Sequence, residues 1–350
     1  MANEADEGAE DDLDAMHPVV LISLFPQPSS DRNRNLWKAR TAPRIHERRR
    51  RNLFARVVLT PCVPQTAESG RKRKKAKTEV NRIASLWIGD RLGPLEILSA
   101  QSFLATGHSM TIFAYGPLAD VPDGVRVLDA EPVFSGERIL RYPGNGWPSI
   151  HSNLFRYAML ERFDHVWSDL DVIALRPFEF ASPYVFGFER NGSVNNAILG
   201  LPNGSPTLSH LRRFGPGDRG YPPDADKWQR RRLWLRSLGR GMGIEHWGHG
   251  ATGPRAVTHF LRETGEIMHA QPAETFYPVP WEDHARIVAP GAINPDMLPR
   301  SARAIHLWGS HVRRVMKWRY RGQIPLDSLL GQLRERHGPA RLSDRTPDAP

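Results

Sequence analysis

From Asn81 onward the apolar positions alternate between short runs and longer stretches repeating every three to four residues, the signature of strands interleaved with amphipathic helices. Arg82 to Ile88 reads as a first strand and Gly89 to Gly93 as a turn. Pro94 to Thr106 then forms a helix with Leu95, Leu98, Phe103 and Leu104 on or near one face. Met110 to Tyr115 and Val125 to Leu128 are further strands. Pro132 to Gly146, which contains Gly136, Gly144 and Gly146, is a long loop of the kind that serves as a lid or binding loop. A helix over Pro148 to Phe163 follows, with Pro148 suited to its first turn. Val166 to Ser168 leads as a strand into Asp169-Leu170-Asp171. Beyond it, Tyr184 to Phe188 and Asn195 to Leu201 read as strands, Trp228 to Leu238 as a helix in a basic Gly-, Pro- and Trp-containing stretch, and Pro254 to Glu263 as a helix opened by Gly253. Ala302 to Leu307 is a last strand before the basic, aromatic segment Trp308 to Tyr320. The alternation predicts an α/β fold.

The pattern fails before residue 80 and fades after 322. Residues 1–79 hold 16 Lys and Arg against 11 Asp and Glu, about half of the +10 formal charge of the 350-residue chain. Acidic and basic blocks without apolar periodicity predict a disordered charged leader. The expected organisation is therefore a leader (1–79), one folded α/β domain (80–322), and a C-terminal helix with a loose tail (323–350). Arg48-Arg49-Arg50-Arg51 and Arg71-Lys72-Arg73-Lys74-Lys75 could hold nucleic acid or an anionic membrane surface; a solvated tail is the simpler reading.

With 40% hydrophobic and 25% charged residues the chain is expected to fold as a soluble globule. The early apolar run Pro18 to Pro26 is far shorter than the roughly 18 residues of a membrane span, and acidic residues precede it, so no signal peptide is read. The expected location is cytoplasmic, with peripheral contact at the inner membrane face as an option. Cys62 is the single cysteine, which excludes an internal disulfide and a multi-cysteine metal site and leaves oxygen and imidazole as ligands.

Asp169 and Asp171 are two apart, so in extended backbone their carboxylates point the same way and can share one cation. Mn²⁺ or Mg²⁺ held by such a pair, with its other positions open to water and phosphate oxygens, is a means of gripping a diphosphate. On the preceding helix, Ser152, Asn153 and Arg156 lie at offsets of three and four and share a polar face. Arg156 has two readings, a phosphate contact or an ion pair that fixes one of the two aspartates. The loop Glu245 to Gly250 carries His246 and His249 only three apart between glycines and is not read as a second metal site. Arg313, Arg314 and Lys317 either hold a diphosphate or form a solvated basic edge.

The run His151-Ser-Asn-Leu-Phe-Arg-Tyr-Ala-Met-Leu-Glu-Arg-Phe-Asp-His-Val-Trp-Ser-Asp-Leu-Asp171 resembles the helix and Asp-x-Asp motif of glycosyltransferases with a DXD-containing sugar-binding region, the capsular-polysaccharide and α-1,4-glycosyltransferase-like group. The resemblance spans roughly Ile83 to Arg314, with lesser matches at Leu86 to Gly89, Val194 to Gly200 and Ala304 to Trp308. Asn153 stands where that family usually has Asp, and Asp164-His165 replaces a Gly-Gly pair.

What the resemblance implies is a glycosyltransferase A-type fold, Rossmann-like with a mostly parallel sheet, carrying a retaining, metal-dependent transferase. Its donor would be a nucleotide-sugar, with UDP-hexose favoured, and its acceptor a glycan or lipid-linked saccharide. Asp169 would contact ribose or the metal and Asp171 would ligate the metal directly. His306 is the candidate third ligand, since imidazole suits Mn²⁺ better than Mg²⁺. Asn196 is expected near the reacting carbon, and Trp87 and Trp308 either flank the base or belong to the core. The alternatives are a nucleic-acid or membrane-binding protein working through the basic leader, with nucleic acid the less expected partner, and a metal-dependent phosphohydrolase.

Overall fold

In the computed structural model, residues 82–144 and 146–338 are described. The charged leader and the tail from Pro339 lie outside them. The chain runs β1 (Arg82–Trp87), α1 (Pro94–Ala105), β2 (Ser109–Ala114), β3 (Arg126–Asp129), α2 (Ser149–Arg162), β4 (Val166–Ser168), β5 (Val172–Ala174), β6 (Val185–Phe188) and β7 (Val194–Gly200). It continues through α3 (Pro206–Leu211), β8 (Arg219–Gly220), α4 (Lys227–Arg236), β9 (Met242–Gly243), α5 (Pro254–Glu263), α6 (Ala273–Phe276), β10 (Ala304–His306), α7 (Gly309–Tyr320) and α8 (Leu329–His337).

The central sheet has six strands in the order β3-β2-β1-β4-β7-β6. The four strands β3, β2, β1 and β4 are parallel, while β7 is antiparallel to both β4 and β6. The fold is thus mixed α/β with a mostly parallel sheet. Strand order reverses direction between β1 and β4, and a crevice at the C-terminal ends of strands flanking such a switch is where open α/β sheets bind ligands. The Ser85 hydroxyl donates to the Ser168 carbonyl and ties β1 to β4 close to that crevice.

Alternation along the parallel strands feeds two cores. Ile83, Met110 and Ile112 point to one face with Leu95, Leu98 and Phe103 of α1, whereas Ala84, Leu86 and Phe113 meet Phe155 and Met159 of α2 on the other. Each fully buried aliphatic or aromatic side chain contributes roughly 1.5–3 kcal/mol, so burial on both faces fixes the register. Leu329, Leu330 and Leu333 of α8 are fully buried in the α1-side core.

Two features lie beyond the sequence pattern. β10 pairs antiparallel with the short strand β5 in a separate ladder, His306 opposite Val172, and does not join the main sheet. The free edge of β5 is satisfied by α1, because Ser99 Oγ donates to the Val172 carbonyl at 2.6 Å and the Ala174 N–H donates to Ser102 Oγ at 2.8 Å.

Candidate functional site

The chain leaves β4 and turns back at once into β5, the Val172 N–H reaching the Asp169 carbonyl at 3.3 Å. Asp169-Leu170-Asp171 is therefore a tight turn, not the extended segment that the spacing suggested. The turn sends Leu170 into the core and leaves both carboxylates partly exposed, lining a cleft of about 660 Å³. The β5–β10 ladder delivers His306 to the same place. One ligand atom from each of Asp169, Asp171 and His306 lies within 4.8 Å of the others, the one such trio of acidic, His or Cys side chains among the described residues.

Asp169 is held from the helix side. Arg156 is 3% exposed and donates through Nη2 to Asp169 Oδ1 at 2.6 Å, and Trp167 Nε1 donates to the same oxygen at 2.7 Å. The Arg156 guanidinium also lies 4.6 Å over the Trp167 ring, a cation–π contact that fixes its plane. Burial raises the Asp169 pKa and the nearby Asp171 charge adds to this, with Arg156 opposing. The remaining guanidinium nitrogens, Nε and Nη1, are buried without a hydrogen-bond partner among the described residues, although Arg156 lines the cleft.

Asp171 is held from the other side. The Gly309 N–H, first of α7, donates to Oδ2 at 2.8 Å, and His306 Nε2 lies 3.3 Å from Oδ1. A carboxylate before a helix N-terminus is favoured by the helix dipole. Against the burial that would raise it, the charge and hydrogen bond of His306, the Gly309 N–H and Arg313 hold the Asp171 pKa down to about 2. For His306, burial works downward but the two aspartates outweigh it, so its pKa is raised.

Trp308 lines the cleft and also supports this arrangement. It is 9% exposed, its indole N–H donates to the Val279 carbonyl at 3.1 Å, and its ring centroid lies 4.1 Å from that of His306. Its backbone is left-handed (φ 56°, ψ 51°), a conformation costing a non-glycine residue about 1 kcal/mol and tolerated where the surroundings enforce it.

The other candidates also reach the cleft. Ser152 and Trp87 line it, the Trp87 indole N–H donating to the Arg91 carbonyl at 2.9 Å. Asn196 Nδ2 donates to Asn153 Oδ1 at 3.0 Å, and Asn153 Nδ2 to Thr252 Oγ1 at 3.2 Å, so the two amides form a relay across the pocket wall. Arg313 pairs with Glu96 of α1 and lines the cleft, while Arg314 faces His311. His249 sits between Tyr142 and Trp147, with ring centroids 5.6 and 6.0 Å away, whereas His246 faces Glu245.

Several contributors were not singled out from the sequence. Trp167 could have been, since it lies two residues before Asp169 and so on the same side of an extended chain. Gly309, Glu189, Thr252 and the exposed cleft-side rings Trp147 and Trp281 carry no comparable local signal.

No protein-family model matches the sequence, and no curated protein matches it. Among solved structures, the chain is similar to the PaToxG glycosyltransferase with a TM-score of 0.35 and 13% identity, over 54% of this chain and 73% of that one. It is also similar to mouse xyloside xylosyltransferase 1 in its apo form, with a TM-score of 0.34 and 12% identity, over 65% of this chain and 96% of the other. At such values the likeness assigns neither a family nor an activity.

Proposed function

We propose that the chain is a metal-dependent glycosyltransferase of the A-type architecture that takes a sugar from a nucleoside diphosphate, UDP-hexose being the favoured donor. The observation that carries this reading is the convergence of Asp169, Asp171 and His306 inside a cleft at the C-terminal side of a parallel sheet. The cleft volume falls within the range of small-molecule sites. Two carboxylates and an imidazole suit Mn²⁺ and, less well, Mg²⁺. When bound, the cation would supply charge neutralisation for the leaving diphosphate.

The protein's own groups divide the remaining work. The bond that breaks joins the anomeric carbon to a diphosphate oxygen, leaving positive charge on the sugar and extra negative charge on the leaving group. Gly309 and His306 hold the Asp171 carboxylate in place before ligand arrives, and Arg156 with Trp167 does so for Asp169. Such preorganised dipoles need no rearrangement during reaction. The Asn153–Asn196 relay would orient the sugar beside the reacting carbon. Retention at that carbon and a glycan or lipid-linked saccharide as acceptor are what the motif resemblance implies.

A panel of nucleotide-sugars incubated with Mn²⁺, followed by separation of free sugar, sugar 1-phosphate, nucleoside mono- and diphosphate and transferred product, tests the reading. Transfer or slow donor hydrolysis to sugar and nucleoside diphosphate, lost in Asp171→Asn, supports it. Cleavage of the donor's pyrophosphate to nucleoside monophosphate and sugar 1-phosphate, with no sugar released or transferred, would replace it by the phosphohydrolase alternative.

A further inference from the structure

Helix α4 has ten residues, Lys227–Arg236, and none of them is buried. A short helix ordinarily draws its stability from packing an apolar face, and one of this length is marginal alone. Here the ends are fastened instead. Asp226 and Gln229 form a reciprocal capping box, and β8 and β9 close the excursion as a two-stranded ladder. Asp224 accepts two hydrogen bonds from Arg255 of α5, at 2.7 and 2.9 Å, and so anchors the approach to the helix. The excursion is built to present α4.

What it presents is both apolar and cationic. Trp228 is 76% exposed, Trp234 53%, Leu235 58% and Leu238 84%. At 100° per residue, Trp228, Trp234 and Leu235 fall on one side of the helix and the half-buried Leu233 on the other, with the exposed Leu238 just past the helix end. Lys227, Arg230, Arg231, Arg232, Arg236 and Arg240 lie in the same segment, and no Asp or Glu occurs between Asp226 and Glu245. Leu238 is further held at a positive φ of 49°, an unfavourable backbone for leucine that buries nothing within the chain.

We infer that the outward face of α4 is a docking surface for an anionic phospholipid bilayer. Trp and Leu would enter the boundary between headgroups and acyl chains while the arginines reach lipid phosphates, the combination that holds an interfacial helix. A nucleic acid would satisfy the arginines but leave Leu235 and Leu238 in water. A second copy of the chain would set one cationic segment against another. The inference does not depend on the reaction proposed for the cleft, because the outward residues Trp228, Arg231, Arg232 and Leu238 are not among those lining it.

The full chain carries other basic blocks at Arg48 to Arg51 and Arg71 to Lys75, so bulk vesicle binding cannot by itself report on α4. The single cysteine allows a local probe: Cys62→Ser with Leu238→Cys, labelled with an environment-sensitive fluorophore. Vesicles of phosphatidylserine and phosphatidylcholine should shift the emission to the blue and make it quenchable by lipid-borne spin labels, and pure phosphatidylcholine vesicles should not. Adding Arg231→Glu and Arg232→Glu should raise the lipid concentration needed by at least roughly thirtyfold, with the thermal midpoint unchanged. Three results overturn the inference: cosedimentation with vesicles while the label stays unchanged, an equal response to neutral vesicles, or an emission shift driven by oligonucleotide or by self-association without lipid.

Discussion

The Gly309 N–H and the Asp171 carboxylate, 138 residues apart in the chain, meet at 2.8 Å where helix α7 begins. A Cβ at position 309 would stand 3.0 Å from both Asp171 Cβ and Oδ2 and 3.1 Å from Arg313. The glycine is there because the carboxylate must come this close to the helix end. Gly309→Ala should therefore displace Asp171 and weaken Mn²⁺ binding by roughly tenfold or more, the usual cost of disturbing a group that orients a metal ligand. Calorimetric titration of Mn²⁺ into wild type and variant checks this.

Arg156→Ala removes the buried partner of Asp169. Loss of a charge-assisted hydrogen bond costs about 2 kcal/mol, and denaturant unfolding should show a loss of that order. Arg156→Lys keeps the charge but not the planar fork that lies over Trp167 and reaches Asp169. The lysine variant should recover part of the stability while remaining impaired in donor turnover, measured as kcat/KM.

His151 carries a pH dependence away from the cleft. It is fully buried, its Nε2 lies 2.6 Å from the Tyr115 hydroxyl, and its Nδ1 accepts from the Leu140 N–H at 3.4 Å. Burial, aided by Arg141, pushes its pKa down to about 4. The unfolded chain, with a pKa near 6.5, binds the proton first, so stability should fall as pH drops below about 6.5 and level off below about 4, a loss of about 3 kcal/mol. Unfolding measured at pH 7 and pH 4.5 should show a markedly smaller difference in His151→Gln.

Helix α8 belongs to the core that lies under α1. Leu330→Ala and Leu333→Ala should each cost about 3 kcal/mol, within the range for deleting buried leucine atoms. Thermal unfolding should show one transition, shifted downward, without separate melting of a C-terminal segment.

Elements that announce themselves locally were legible in the sequence. β4 and α5 have the bounds that alternation and the Gly253-Pro254 start gave them, and β1, α1, β2, α2, β7 and α4 differ by one or two residues at their ends. Arg156 beside Asp169 was one of two readings of a polar helix face. What was hidden depends on partners far along the chain. β5 has three residues and is fixed by β10 and by two serines of α1, which dilute the apolar stripe of that helix. The placing of Trp308 at the cleft wall follows from a left-handed turn that a tryptophan does not advertise. The convergence of the aspartates was anticipated, but a turn produces it and strand alternation does not.

The central claim is that Asp169, Asp171 and His306 together hold a divalent cation that receives the diphosphate of a nucleotide donor. Calorimetric titration of UDP into the full chain, with and without Mn²⁺, tests it most directly. The account predicts UDP binding that strengthens at least roughly tenfold when Mn²⁺ is present and loses that dependence in Asp171→Asn with the thermal midpoint largely kept. UDP affinity indifferent to Mn²⁺, or a cation dependence that survives Asp171→Asn unchanged, would contradict it.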